Sequence, residues 1–219
     1  VFVPTGFSGL FSPDYQSYFA AMPEWMRQYD INVFLSDNYR DVNFAREHGI
    51  ENRMLIPNGA AASEFVNGPL LDIRRKLGIP QNAFLVLHVG GFTGSKGQWE
   101  AIEIFSQARI RNAVLLLVSD DFSAEAKRRI QRRQILRNTA KLALRREIWR
   151  RHSLEALTAL TIFHLPYNLP RHKRIQIAQL TRSETVAAFL AADLFLFPSN
   201  IECSPIVLFE CMASKTPFL

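Results

Sequence analysis

Two carboxylates eight positions apart, Glu202 and Glu210, lie in the run Pro198-Ser199-Asn200-Ile201-Glu202-Cys203-Ser204-Pro205-Ile206-Val207-Leu208-Phe209-Glu210. Ser204-Pro205 reads as a helix start, with serine as cap and proline in the first turn. Glu202 then falls just before the helix and Glu210 in its second turn. Glu210 has apolar neighbours on every side, where a carboxylate is costly unless paired or hydrogen-bonded. The helix N-terminus beside Glu202 offers free N–H groups and the positive end of the helix dipole, which suits a phosphate. Two carboxylates bracketing an anion site fit a ligand that carries hydroxyls next to a diphosphate. The same residues also allow a plainer arrangement, with Glu202 as a cap and Glu210 paired to a core arginine.

The second cluster is Gly90-Gly91-Phe92-Thr93-Gly94-Ser95-Lys96-Gly97. Glycines after a strand let backbone approach a phosphate, and Lys96 adds a point charge. The spacing matches neither a Walker A loop nor G-x-G-x-x-G, and an ordinary strand-to-helix turn accounts for it equally well. His48, His88, His152, His164 and His172 lack metal-ligand spacing. His88 is expected in the core with a satisfied ring, and Cys203 and Cys211 as packing residues. Asp120-Asp121 reads as the cap of a following helix rather than as a metal-binding pair.

These residues need a scaffold. Val1–Pro4, Ile31–Ser36 and Arg53–Ile56 read as strands. Tyr15–Met26 reads as a helix, and Asp37 and Gly49 as the cap and stop of another. Pro57-Asn58-Gly59 is a turn signal. Residues 60–82 read as a connection with one short helix over Leu71–Leu77, closed by Gly78-Ile79-Pro80. Beyond it, Phe84–Val89, Ala113–Val118 and Leu194–Phe197 are apolar runs suited to strands buried on both faces, and Ile175–Leu180 reads as a further strand. The intervening helices carry Ala101, Ile104, Phe105 and Ala108 on one face, and a capping box at Thr181-Arg182-Ser183-Glu184 that starts a helix running to Ala192. Strands alternating with helices predict an α/β fold with parallel sheets, whose ligands bind beyond the carboxyl ends of the strands. That directs attention to the loops 90–97, 119–122 and 198–205.

The chain has 219 residues, 48% apolar and 21% charged, the balance of a globular protein with a sizeable core. Disordered, collagen-like and disulfide-scaffold classes are excluded on this composition. Two cysteines without a CxxC pair fit a reducing compartment, and no run reaches the ~18 apolar residues of a membrane span. The net charge of +6 is uneven: residues 123–174 carry 14 basic and 3 acidic groups. Ser123 to about Arg151 reads as helical, with Arg128, Arg129, Arg132 and Arg133 in proximity. Such a patch attracts phosphates on nucleic acid, an anionic membrane or a nucleotide, and is equally compatible with a solvated helix face. Few aromatics are interleaved with it, which disfavours nucleic acid. The opening Val-Phe-Val-Pro and closing Pro217-Phe218-Leu219 both read as strands interrupted, so a fragment of a longer protein is expected.

The residues resemble a family. PSNIECSPIVLFECMASKTPF resembles the E-x7-E motif of the retaining glycosyltransferases of family four, which have the GT-B fold. HVGGFTGSKG resembles that family's Gly-rich, lysine-bearing loop, LTRSETVAAFLAADLFLFPS the stretch leading into the motif, and LIPNGA the entry to the interdomain connection. The resemblance runs from about Val33 to Leu219 and is weakest over 123–174. It implies two Rossmann-like domains: 1–59 as the end of the acceptor-side domain, 60–82 as the connection, and 83–219 as the donor domain with a basic insert. It further implies a nucleotide-sugar donor of UDP or GDP type, transfer with retention of configuration, no cofactor and no metal. Glu210 would bind the ribose, Glu202 the donor sugar, and Lys96 would neutralise the leaving diphosphate. Gly90, Gly91, Cys203, Ser204, Pro205, Ile206, Thr181 and Arg182 would complete the donor site. Gly91 stands where arginine is frequent, so one phosphate contact is lost or falls to another residue such as Arg182. Lys215 stands where glycine is usual. Related enzymes often carry a histidine near the reaction centre where this chain has Thr5–Gly9. The acceptor is unreadable. A cytoplasmic protein is expected, with the basic segment able to dock on the inner face of a membrane. The alternative is a basic α/β binding module without catalytic activity.

Overall fold

The computed structural model describes residues 1–92, 95–120 and 173–219. The expected helix over 123–151, the basic cluster of Arg128, Arg129, Arg132 and Arg133, Asp121, His152, His164, His172, Thr93 and Gly94 lie outside the described residues.

The chain is an α/β structure with two parallel sheets. In the first, β1 (Asn32–Phe34) pairs with β2 (Arg53–Leu55), and Phe2 adds an isolated parallel bridge to Asn32. The second has the order β5-β4-β3-β6, from β3 (Phe84–Val89), β4 (Ala113–Val118), β5 (Lys173–Ala178) and β6 (Leu194–Phe195), again all parallel. Phe218 bridges to Phe195 at its edge.

Side-chain alternation along the strands divides the second core. Leu85, Leu87, Val114, Leu116 and Val118 face one side, with Val186, Ala187 and Phe189 of α6 (Arg182–Ala191) and Cys211 of α7 (Ile206–Ala213). Val86, Leu115 and Leu117 face the other, with Ala101, Ile102 and Phe105 of α5 (Gln98–Gln107). β4 is buried at all six positions, which is why its sequence is uninterruptedly apolar. The first core is aromatic: Phe7, Phe19, Phe34 and Phe44 pack with Met22 and Met26 between α1 (Gln16–Gln28), α2 (Arg40–Glu47) and the strands.

Several expectations are corrected. Val1–Pro4 contributes only the bridge at Phe2, and β1, β2 and β6 are shorter than their apolar runs. Asp37 does not cap α2; Tyr39 holds the cap position without a side-chain bond, and the Asp37 carbonyl accepts from Arg46 instead. Gly49, at φ +63, follows α2 as read. Pro57-Asn58-Gly59 forms no turn, because the Asn58 amide is used across the molecule (below). In α5, Ile104 is exposed and Ile102 is buried in its place. The short helix in the connection is α4 (Ile73–Lys76), with Asp72 as its cap. Before it lies α3 (Ala62–Val66), five residues that are too short to show a helical period. Phe65, Ile73 and Ile79 pack into the second core, so residues 62–79 belong mechanically to that sheet.

Candidate functional site

The loops after β3 and β6 leave the carboxyl ends of adjacent parallel strands and are stitched together. The Asn200 N–H donates to the Ser95 carbonyl at 3.0 Å. Gly97 has φ +76, and a Cβ there would lie 2.1 Å from the Pro198 carbonyl oxygen, so only glycine permits this approach. The closeness brings Lys96 to Glu202, whose Oε1 accepts from Nζ at 2.9 Å and from the Ser199 hydroxyl at 2.6 Å. Gly90 closes the strand ladder by donating to Val118 at 3.0 Å. The carbonyls of Gly90 and Gly91 accept from the buried Gln98 side chain at 3.0 and 2.7 Å. This clasp shapes the glycine loop. Neither Gln98 nor Ser199 was visible as a site residue in the sequence.

Glu210 is 5% exposed in the second turn of α7. Arg182, at the start of α6, pairs with it and also with Glu64 of α3, and its guanidinium lies 5.9 Å from the centre of the Phe65 ring. The bond from Glu64, with help from Glu210, holds the Arg182 guanidinium above its ordinary value. The arginine that meets Glu210 is thus half-exposed, not a core residue. Glu64 carried no sequence signal, because its partner is 118 positions away. Thr181 completes the capping box read from sequence: its hydroxyl accepts from Glu184 N–H, and the Glu184 carboxylate accepts from Thr181 N–H at 2.8 Å.

The start of α7 differs from expectation. Pro205, not Ser204, holds the cap position, and its carbonyl accepts from Leu208 N–H at 3.1 Å. Proline there lies at an extended ψ of 112°. The Ser204 carbonyl is taken by the Asn58 side-chain amide at 2.8 Å, which ties the exit of the first sheet to the loop holding Glu202. Cys203 is partly buried, and desolvation pushes its thiol up to about 11. Ile206, the first residue of α7, is half-exposed. Lys215, read as a departure, has φ +60, which explains why glycine suits that position.

The first sheet contributes one loop to the same place. Gly6, at φ +87, sits so that a Cβ would lie 3.2 Å from the Tyr39 ring and 3.3 Å from Cys203 Cβ. Its N–H donates to the buried Asp41 carboxylate at 3.0 Å. Asp41 was missed because a carboxylate in a first helical turn usually reads as a surface residue.

His88 is a correction in part. Its ring is buried and Nδ1 lies 2.9 Å from the Leu196 carbonyl, but Nε2 has no partner among the described residues. Cys211 is buried and its thiol is pushed up to about 11 by burial. The Asp120 carbonyl accepts from Gln179 at 2.8 Å. Among the described residues no cluster of three or more histidine, cysteine or carboxylate groups could hold a metal, and no helix is long and apolar enough to cross a membrane.

No protein-family model and no curated protein matches the chain. Solved structures do. Sucrose-phosphate synthase from Thermosynechococcus elongatus is 19% identical at a TM-score of 0.63, over 98% of this chain and 47% of that one. HepE of Anabaena, solved with UDP-glucose, is 16% identical at 0.59, over 94% and 50%. Trehalose-6-phosphate synthase OtsA is 16% identical at 0.54, over 98% and 48%. The chain has the GT-B fold. It spans about half the length of the GT-B structures it matches.

Proposed function

We propose that this chain is part of a retaining glycosyltransferase of family four that transfers a hexose from a nucleotide-sugar, of UDP or GDP type, to an acceptor hydroxyl without a metal. The observation that supports this most is the meeting of Lys96 with Glu202 at 2.9 Å, from two loops at the carboxyl ends of neighbouring strands, beside the start of α7. It accords with the motif order in the sequence and with the donor that HepE binds in its complex.

In the structure the charged groups neutralise one another in two pairs, Lys96 with Glu202 and Arg182 with Glu210. A nucleotide-sugar supplies the opposite partners. Its ribose hydroxyls take Glu210, its sugar hydroxyls take Glu202, and its diphosphate takes Lys96 and Arg182 with the N–H groups at the start of α7. In the transfer, the acceptor oxygen bonds to the anomeric carbon as that carbon's bond to the diphosphate oxygen breaks. The acceptor's proton passes to the departing phosphate oxygen. Charge accumulates on the leaving group, and preplaced cations and N–H dipoles stabilise it. Two cationic side chains and a helix N-terminus provide that without a metal.

The test is a thermal melt and calorimetric titration of the chain with UDP and GDP, with and without EDTA. A ligand of the folded state raises stability by about 2.7 kcal/mol at a hundred times its Kd. One nucleoside diphosphate is expected to bind unaffected by EDTA, and Glu210→Gln to weaken it by roughly tenfold, the loss of one charged hydrogen bond. Unchanged affinity in Glu210→Gln would remove Glu210 from the site. A cooperatively melting chain that binds neither nucleotide would overturn the donor reading.

A further inference from the structure

Resting on the donor reading, we infer that Glu64, in the segment connecting the two sheets, is a positioning residue for the diphosphate. It holds one edge of the Arg182 guanidinium, so that the other edge meets the diphosphate once a ribose takes Glu210.

The seat of Glu64 is fixed by its neighbours. Phe65 is buried in the second core and meets the Phe189 ring of α6 edge-on at 6.3 Å. Past the end of α3, a Cβ at Gly68 would lie 2.4 Å from Leu190 Cδ1, so the backbone there rests directly on the far end of α6. A helix of five residues is not stable alone, and these contacts place it. Glu64 thereby meets the first residue of α6, 118 positions along the chain.

Arg182 divides its donors between two carboxylates. Nε and Nη2, the side-on edge, both donate to Glu64 Oε2, with Nε at 3.1 Å. Nη1 donates to Glu210 Oε1. The partners differ in burial: the Glu210 side chain is 6% exposed and that of Glu64 41%. A cation at the first residue of α6 opposes the helix dipole, so helix formation does not account for an arginine there.

The two bonds have separate fates in a donor complex. Ribose hydroxyls replace Nη1 at Glu210. The end-on edge of the guanidinium, Nη1 with the outer N–H of Nη2, is then free, and it has the fork geometry that suits a phosphate. Glu210 lies one turn, about 6 Å, from the first residue of α7, so this edge and the N–H groups at the start of α7 serve the same anion. The side-on edge stays on Glu64. That bond keeps a half-exposed, flexible side chain from swinging into solvent, and ordering it beforehand lowers the entropy lost on binding. Glu64 sits across the cation from the anion and is open to water, which screens its charge.

The test is calorimetry on the 219-residue chain with the nucleoside diphosphate it binds, UDP or GDP, and with the matching nucleoside, uridine or guanosine. The nucleoside reads the ribose at Glu210, and the ratio of the two affinities reads the diphosphate. That ratio is expected to fall about fivefold in Glu64→Gln and about tenfold in Arg182→Gln. Glu64→Asp is expected to restore part of it. In the Arg182→Gln background, Glu64→Gln is expected to change nothing more, because Glu64 acts through Arg182. A purely structural Glu64 would lower the melting temperature and both affinities together and leave the ratio at its wild-type value. An unchanged ratio in Glu64→Gln, or a further loss in the double variant, would overturn the inference. Diphosphate binding that still weakens in Glu210→Gln would leave the donor reading standing in that case. A cooperatively melting wild-type chain that binds neither nucleotide would overturn both.

Discussion

His88 illustrates how one side chain's environment becomes a property that can be measured. A carbonyl only accepts, so Nδ1 carries the proton toward Leu196, and the neutral ring has its bare Nε2 in an apolar setting. Burial disfavours the imidazolium and pushes the pKa below the ordinary 6.5, against smaller opposing effects of the Leu196 bond and Glu100. The sign follows from linkage. Below 6.5 the unfolded chain binds a proton that the folded chain resists, so stability is full above 6.5 and falls as the pH drops from there toward the folded-state pKa. Melting curves from pH 7.5 to 5 are expected to show this fall. His88→Gln, which can still donate to Leu196 but does not titrate, is expected to flatten it. An equal fall in the variant would assign the acid sensitivity elsewhere.

At the scale of elements, what was legible depended on whether the cause was local. β3 and β4 match the runs read for them residue for residue, because strands buried on both faces are nearly continuously apolar, with His88 the one polar side chain of β3. The capping box of α6 was legible because both of its arms lie within four residues. The carboxylate spacing and Lys96 were legible as residue types, but their partners were not. Ser199, Gln98, Glu64 and Asp41 matter only because distant loops converge on them. Pro57-Asn58-Gly59 misled for the same reason, since the asparagine amide bonds to Ser204 rather than closing a turn. Gly97 is where local and distant causes meet: a positive φ and a backbone oxygen 2.1 Å from any Cβ. Gly97→Ala must therefore move the 198–205 loop or twist the chain, and is expected to cost at least about 2 kcal/mol. Chemical denaturation reads the loss. Since the same displacement parts Lys96 from Glu202, UDP affinity should fall with it. A variant with wild-type stability would show that this close approach is not maintained in solution.

For the whole molecule, the mechanical question is which sheet owns the connecting segment. Apart from the packing of Phe65, Ile73 and Ile79, Arg74 is the principal tie. Its side chain is 12% exposed, and its guanidinium donates to the carbonyls of Ala83 and Ala191 at 2.7 and 2.9 Å and to Asp193 at 2.9 Å. Asp193 in turn accepts from the Leu85 N–H at 2.7 Å, so one arginine joins α4, the end of α6 and the start of β3. Removing it leaves the two part-buried carbonyls without their donor, which costs about 3 kcal/mol, while Asp193, 41% exposed, keeps the Leu85 N–H and meets water. In a chain of this size that is roughly a 10 °C drop in melting temperature. The neighbouring Lys76 reaches Glu184 in the open, with its side chain 48% exposed, and a solvated pair of this kind contributes little. Arg74→Met is therefore expected to lower the melting transition of the second sheet steeply, and Lys76→Met hardly at all. Hydrogen exchange separates the two sheets: amides of β3 and β4 should lose protection in Arg74→Met while those of β1 and α2 keep theirs. Equal loss in both sheets would mean that the two cores unfold as one unit, with the segment shared between them.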